Sequence, residues 1–497
     1  MAEQQQAPGA APQTTEEVGD FKNLLAKELN AKTKERRSEV DGAIDTLVKE
    51  ALAGTPLTSN DTVENIRSII AGIDKQLGAQ MNEILHNPAF QQLEGSWRGL
   101  HYLVNNSETD QMLQIRVMNI TKEELGKTLG KFRGVIWDQS PLFKKLYQDE
   151  YGTLGGNPYG CLVGDYYFDH TAPDMTILEE MSKVAAAAHA PFIAASAPSL
   201  FGMESWQELL KPRDVNGIFS TPGYEQWRSF RDSEDSRYVG LTMPRFLARR
   251  PYGAKSNPVE AFDFEEETSG TLPQKYTWAN AAYAMAANIN RSYKMYGWCS
   301  RIRGVESGGG VQGLPTHTFA TADGGLDSTC PTEISIPDTR ELELANGGFM
   351  PLIHRKNSDF AAFISAQSVQ KPKEWSDPDA TANSKLSARL PYLFPVCRFA
   401  HYLKCIVRDK IGGFNEREDM QRYLENWILQ YVEGDPEHAT ETDKARKPLA
   451  AAQVVVEPVE GDPGYYTSKF FLRPHYQLEG LTVSLRLVSK LPSQKAG

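Results

Sequence analysis

The sequence predicts an α/β protein with N-terminal helices, a central α/β core, and a C-terminal unit of helices and strands whose sheet is completed by neighbouring subunits. Three observations predict this. Apolar residues first recur at helical spacing. Strand-like and helical runs then alternate, as they do in an α/β core. The last quarter closes on a period-two run in which Leu481, Val483, Leu485 and Leu487 alternate with Thr482, Ser484 and Arg486. Such a strand has one dry face, and an edge left open recruits another strand.

Residues 1–58 read as a polar tail rich in Gln, Ala and Pro, followed by N-terminal helices. Phe21, Leu24, Leu25 and Leu29 share one helical face. That face either packs on its own domain or is an amphipathic peptide presented to a partner's groove. A charged break over 32–39 precedes a second helical stripe of Val40, Ile44, Leu47 and Val48, and Gly54 and Pro56 stop it.

Residues 59–375 read as a helical and α/β core. A helix opens at Asp61 with Glu64 three residues on, a capping-box spacing, and carries Val63, Ile66, Ile70, Ile73, Leu77 and Ile84. The next stripe is Phe90, Leu93, Trp97, Leu100 and Val104. Strands are expected over 112–120, 159–165 and 191–196, with helices over 121–132 and 175–189 between them. The pattern gives a helix over 276–296, with Ala282, Met285, Ala286 and Ile289 on one face, and a short strand over 332–336 among Gly-rich loops.

Residues 376–497 read as the assembly domain, entered through a polar linker over 371–378. Its first helix is expected to start at Pro395, since proline suits a first helical turn. A second helix follows over 416–431, then strands near 454–456, 465–471 and 481–488.

A net charge of −11 argues against a general nucleic-acid binder, which would carry a basic face. No apolar run is long enough to span a membrane, and the polar N-terminus lacks the features of a secretory signal. Five scattered cysteines suit a reducing cytoplasm.

Chemical motifs are weak. Gly308, Gly310 and Gly313 match GxGxxG, and a nucleotide-binding enzyme is the alternative they raise. The motif must open a helix to serve a pyrophosphate, and here Leu314-Pro315 follows, which favours a structural turn. Gly126-Lys127-Thr128 resembles the end of a P-loop, but its first glycine would fall at Thr121. Cys397, His401 and Cys405 share a helix face without the fourth ligand that tetrahedral zinc wants, so core packing is favoured. No catalytic residue, metal site or cofactor is assigned.

Several long stretches carry a family resemblance: 87–104 (NPAFQQLEGSWRGLHYLV), 235–247 (DSRYVGLTMPRFL), 296–299 (YGWC) with 302–306 (IRGVE), 313–319 (GLPTHTF), 380–383 (ATAN) with 386–392 (LSARLPY), and 471–475 (FLRPH). Together they resemble the large subunit of the contractile sheath of the bacterial type VI secretion system, the TssC/VipB family. The resemblance implies pairing with a small sheath subunit of the TssB/VipA type and stacking of hexameric rings around an inner tube of Hcp-type protein. It also implies attachment to a baseplate and disassembly by a ClpV-type AAA+ unfoldase, with no nucleic acid or membrane as partner. By position, the unfoldase-binding helix falls on Phe21, Leu24, Leu25 and Leu29. The inner-tube-facing helix begins at Glu416, Glu418 and Asp419, where plain solvation of charge is the other reading. The inter-subunit strand is Leu481, Val483, Leu485 and Leu487.

Overall fold

The computed structural model describes residues 62–211, 214–268, 272–320, 323–410, 417–458 and 466–477. The longer helices are α1 (Thr62–Leu85), α2 (Pro88–Asn105), α3 (Lys122–Lys131), α4 (Ala172–Ala188), α5 (Glu225–Asp232), α6 (Ala281–Tyr296), α7 (Asp338–Asn346), α8 (Pro378–Ser387), α9 (Leu390–Lys410) and α10 (Arg417–Leu429). The principal strands are β1 (Leu162–Phe168), β2 (Phe192–Ser196), β3 (Val239–Met243), β4 (Gly310–Val311), β5 (Phe349–His354), β6 (Ala361–Phe363), β7 (Leu449–Pro458) and β8 (Tyr466–Pro474). Among the described residues no helix is long and apolar enough to cross a membrane.

The chain divides into two compact units. In the first, which holds α1, the start of α2, and residues 247–278 and 315–329, a buried ion cluster ties the pieces together. Arg249 Nε lies 2.7 Å from Glu94 Oε1 and its Nη1 2.6 Å from Glu266 Oε2, while the Thr277 hydroxyl donates to Glu94 at 2.9 Å. Gly95 lets the helix close on the Trp278 carbonyl, since a Cβ there would stand 2.3 Å from that oxygen.

The second unit is built on a six-stranded mixed sheet of order β1-β2-β3-β5-β6-β4. β1, β2, β3 and β5 run parallel, and β6 pairs antiparallel with both β5 and β4. β2 is buried along its whole length and reads as a continuous small and apolar run, as central parallel strands do. α3 starts at a Thr121–Glu124 capping box. α4 links β1 to β2 and ends at His189 in the left-handed conformation, φ 51°. α6 is capped by Asn280, whose side chain accepts from the Ala282 N–H at 2.9 Å. Its buried alanines let it lie close against β1, β2 and β3.

The C-terminal elements form a second apolar cluster in this unit. Phe399 of α9 stacks on Trp298 at 4.2 Å between centroids, and Leu424 and Ile428 of α10 pack with Leu449, Val454 and Val456 of β7.

Strands were expected over 112–120 and 332–336, and neither forms. Residues 114–120 join no ladder, and 332–336 contributes one isolated bridge, Thr332 to Phe246. An apolar run is not enough for a strand, since a ladder also needs a neighbour in reach. The α6 helix begins after Asn280 rather than at Tyr276, because the cap fixes its start. α9 begins ahead of Pro395 and holds the proline inside it. Leu390, Leu393, Phe394 and Cys397 are all buried, so packing carries the helix through the lost main-chain donor. In α2 the expected apolar stripe is largely outward: Leu93, Trp97 and Val104 are 56, 66 and 45 % exposed. The buried face is instead marked by Gly95, Gly99 and Leu103, and at Gly99 a Cβ would lie 2.4 Å from the Tyr283 ring.

Phe399 is fully buried at the centre of the C-terminal cluster. Phe399→Ala is expected to lower stability by about 3–5 kcal/mol, read as an earlier midpoint in urea unfolding. An unchanged midpoint would show that the cluster adds little to the fold.

Candidate assembly site

β7 and β8 form an antiparallel ladder that runs from Leu449↔Pro474 to Pro458↔Tyr466. Alternation is clean on β8: Ser468, Phe470 and Leu472 turn inward while Thr467, Lys469, Phe471 and Arg473 are exposed. This follows from the period of the strand. The outer edge of β7 is touched at two points only among the described residues. Leu449 exchanges main-chain bonds with Tyr431 and Glu433, and the Val456 N–H reaches Gln421 Oε1 at 3.4 Å. Along the outer edge of β8, no main-chain partner is present among the described residues. Two strands alone are marginal in water. Here α10 packs on the ladder, and among the described residues no further strand joins it.

α9 carries this sheet on the core. The neutral His401 ring donates from Nε2 to the Ala188 carbonyl at 2.8 Å, at the C-terminal end of α4. Tyr151 donates to the Ala400 carbonyl at 3.3 Å, and Lys404 donates to the Tyr147 hydroxyl at 2.9 Å. The Lys404 ammonium also sits 3.8 Å from the centroid of Tyr151, close enough for a cation–π contact. Arg408 donates to the Thr153 carbonyl at 2.9 Å. Burial, only partly opposed by the hydrogen bond to Ala188, pushes the His401 pKa down to about 4. Burial likewise drives the Cys397 thiol far above its ordinary range, so it stays protonated. The helix-face trio Cys397, His401 and Cys405 therefore serves the docking of α9. Sequence reasoning did not single out Tyr147, Tyr151 and Lys404. The Tyr147/Tyr151 spacing of four was the available signal.

Glu418 and Asp419 stand exposed at the start of α10, with Asp419 paired to Arg422 at 2.5 Å. Glu416 lies outside the described residues, as do Phe21, Leu24, Leu25, Leu29, Leu481, Val483, Leu485 and Leu487.

The glycine loop is structural. Gly308 has φ +94°, and a Cβ there would fall 2.1 Å from the Arg301 carbonyl; at Gly309 a Cβ would meet the Phe363 carbonyl at 2.3 Å. Gly310 enters β4, and the Leu314 N–H bonds to the Asp359 carbonyl, so no helix N-terminus follows to receive a phosphate. Gly126, Lys127 and Thr128 lie inside α3, where Lys127 pairs with Glu123 one turn back.

Residues 67–370 match the EvpB/VC_A0108 tail sheath N-terminal domain, and residues 379–491 match the tail sheath gpW/gp25-like domain of the same family. The chain belongs to the EvpB/VC_A0108 tail sheath family. It is 68 % identical over 482 residues to the type VI secretion system sheath protein TssC1 of Pseudomonas aeruginosa, covering 97 % of both chains. Two anti-feeding prophage structures are looser likenesses. The six-fold symmetrised baseplate has a TM-score of 0.34 at 11 % identity, over 64 % of this chain and 67 % of that one. The contracted helical sheath has a TM-score of 0.30 at 12 % identity, over 63 % and 68 %. Likeness of that degree carries no argument. The gpW/gp25-like match holds α9, α10 and the β7–β8 ladder, so the two-stranded sheet belongs to a tail sheath domain.

The depressed His401 pKa has a definite sign. The unfolded chain takes up this proton near pH 6.5, and the native chain does so only near pH 4. Between those values the unfolded state holds more protons, so stability falls as pH falls through that window. His401→Gln is expected to flatten this part of the stability–pH curve, measured as urea midpoints at pH 7 and pH 5. An unaltered slope would remove His401 from the acid response.

Proposed function

We propose that this chain, a tail sheath protein of type VI secretion, is the large structural subunit of a contractile sheath and acts in the cytoplasm without catalysis or cofactor. It pairs with a small subunit of the TssB/VipA type, and the pairs stack as hexameric rings around an inner tube of Hcp-type protein. Contraction drives that tube outward from a baseplate. The observation that carries this reading is the β7–β8 ladder, a two-stranded sheet with open edges inside a tail sheath domain.

Strand addition is the physical link. A neighbour's extended segment supplies main-chain hydrogen bonds to an open edge and leaves side-chain specificity to the rest of the surface. The run Leu481, Val483, Leu485 and Leu487 is the strand donated to the next molecule. Contacts that do not close on themselves propagate into a filament. A small free-energy gain per subunit, summed along the polymer, then drives contraction with no bond chemistry. Glu416, Glu418 and Asp419 face the inner tube, where screened polar contacts hold weakly and release readily. The helix bearing Phe21, Leu24, Leu25 and Leu29 is offered to a ClpV-type unfoldase after contraction.

Co-expression with the small subunit is expected to give tubules in negative stain, and a monodisperse soluble chain would count against the reading. Leu485→Pro removes a ladder donor and is expected to abolish tubules while leaving the isolated chain folded. Normal tubules from that variant would take the donated strand out of the account. Leu25→Asp is expected to weaken unfoldase binding at least tenfold with assembly intact, and equal binding would remove the helix assignment.

A further inference from the structure

A glutamine just after β8 is bound on three sides. The Gln477 main-chain N–H donates to the Tyr392 hydroxyl of α9 at 2.9 Å. Its side-chain Nε2 donates to the Ser300 carbonyl at 2.9 Å, and its Oε1 accepts from Arg303 Nε at 3.0 Å. Tyr392, Ser300 and Arg303 are all buried, so these bonds are made against an interior wall. A carboxamide supplies a donor and an acceptor side by side, which this wall requires. A carboxylate would set oxygen against the Ser300 carbonyl, and an ammonium would set a cation against Arg303.

The wall itself is braced. The Arg301 N–H donates to the Ser292 hydroxyl of α6 at 3.2 Å, and the Gly304 N–H donates to the Phe363 carbonyl of β6 at 2.7 Å. Tyr392 belongs to the buried first turn of α9. The chain beyond 477 therefore starts from a fixed point.

Length then matters. Four steps lead from Gln477 to Leu481, at most about 14 Å of chain. Sliding a strand by two residues is the smallest shift that keeps the same face inward, and it needs about 7 Å. That is half the whole reach. The next main-chain tie upstream is the His475 N–H on the Pro448 carbonyl at 3.1 Å. Releasing Gln477 would move the origin back two residues and add about 7 Å, one full slip.

We propose that Gln477 is a positioning residue that fixes the register in which the run 481–487 adds beside a neighbour's β8. This rests on the strand-donation reading above and deepens it. The alternation of Leu481, Val483, Leu485 and Leu487 cannot by itself choose among slips of two, because each slip brings another leucine or valine to the same place. The anchored origin makes that choice.

The test starts with hydrogen exchange, read by mass spectrometry on the isolated full chain. In Gln477→Ala the amide at 477 is expected to exchange about tenfold faster, with the amides of α9 unchanged. Native-like exchange at 477 would show that the side chain anchors nothing, and it overturns the proposal. Register is then read in tubules co-assembled with the small subunit, with a photo-crosslinking p-benzoylphenylalanine in place of Lys469 on β8. The otherwise native chain is expected to join position 469 to one residue of 481–488 in another molecule. With Gln477→Ala a second product, displaced by two residues, should rise about tenfold. Inserting Gly-Ser after Gln477 keeps the anchor, lengthens the tether by two residues and should give the same second product. A general loss of stability would not create it. A single unchanged register in both variants overturns the role of Gln477 and leaves strand donation standing. No tubules, or no intermolecular product, from the otherwise native chain sinks the strand-donation reading and this inference with it.

Discussion

Each strand of a two-stranded sheet keeps one edge of N–H and C=O groups free of a ladder partner, and among the described residues the β7–β8 ladder is of this kind. Water satisfies those groups in a free molecule. In a polymer a neighbour's backbone can replace the water and pin one molecule to the next. The cost of ordering that donated segment is offset only if its apolar side chains also find a face. Here the alternation of β8 leaves Phe471 57 % exposed on the outer side.

A shared sheet transmits force only if it is firmly mounted. α9 does the mounting through contacts at several heights along its length. The Tyr151 and Ala400 pair, His401 on the end of α4, Lys404 over two tyrosines and Arg408 on Thr153 form one line of attachment. Most of these are neutral or cation–π contacts rather than exposed ion pairs, so salt screens them little. The aromatic cluster around Trp298 and Phe399 then ties α9 to the ladder itself. Pull on the strands would thus reach the six-stranded core with little slack.

How far the sequence revealed this depends on what each element rests on. β2, α3 and α4 were legible because burial and caps agree there: a continuous small and apolar run, a Thr121–Glu124 box, a long apolar stripe. The apolar stripe of α2 does not mark its buried face, because glycines do, and a pattern of apolar residues cannot register contacts made by absence of a side chain. Pro395 was misplaced because a local rule gave way to burial on both sides of it. The strand expected at 112–120 does not form, because no partner strand pairs with it among the described residues. Of the site, the strands near 454–456 and 465–471 were legible as apolar and aromatic runs, whereas the period-two run 481–488 lies outside the described residues. The anchors of α9 were not, because Tyr147, Tyr151 and Lys404 are brought together by folding across more than two hundred residues.

Mixed-isotope cross-linking tests the shared sheet most directly. Sheath is assembled from equal parts of ¹⁴N- and ¹⁵N-labelled chain carrying Lys469→Cys on β8 and Val483→Cys in the donated strand, then oxidised and digested. Peptides joining 469 to 483 should carry mixed isotopes at about the statistical half, because the strand beside β8 comes from another molecule. If every such cross-link joins peptides of one isotope only, the chain completes its own sheet, and assembly by strand exchange at this edge is contradicted.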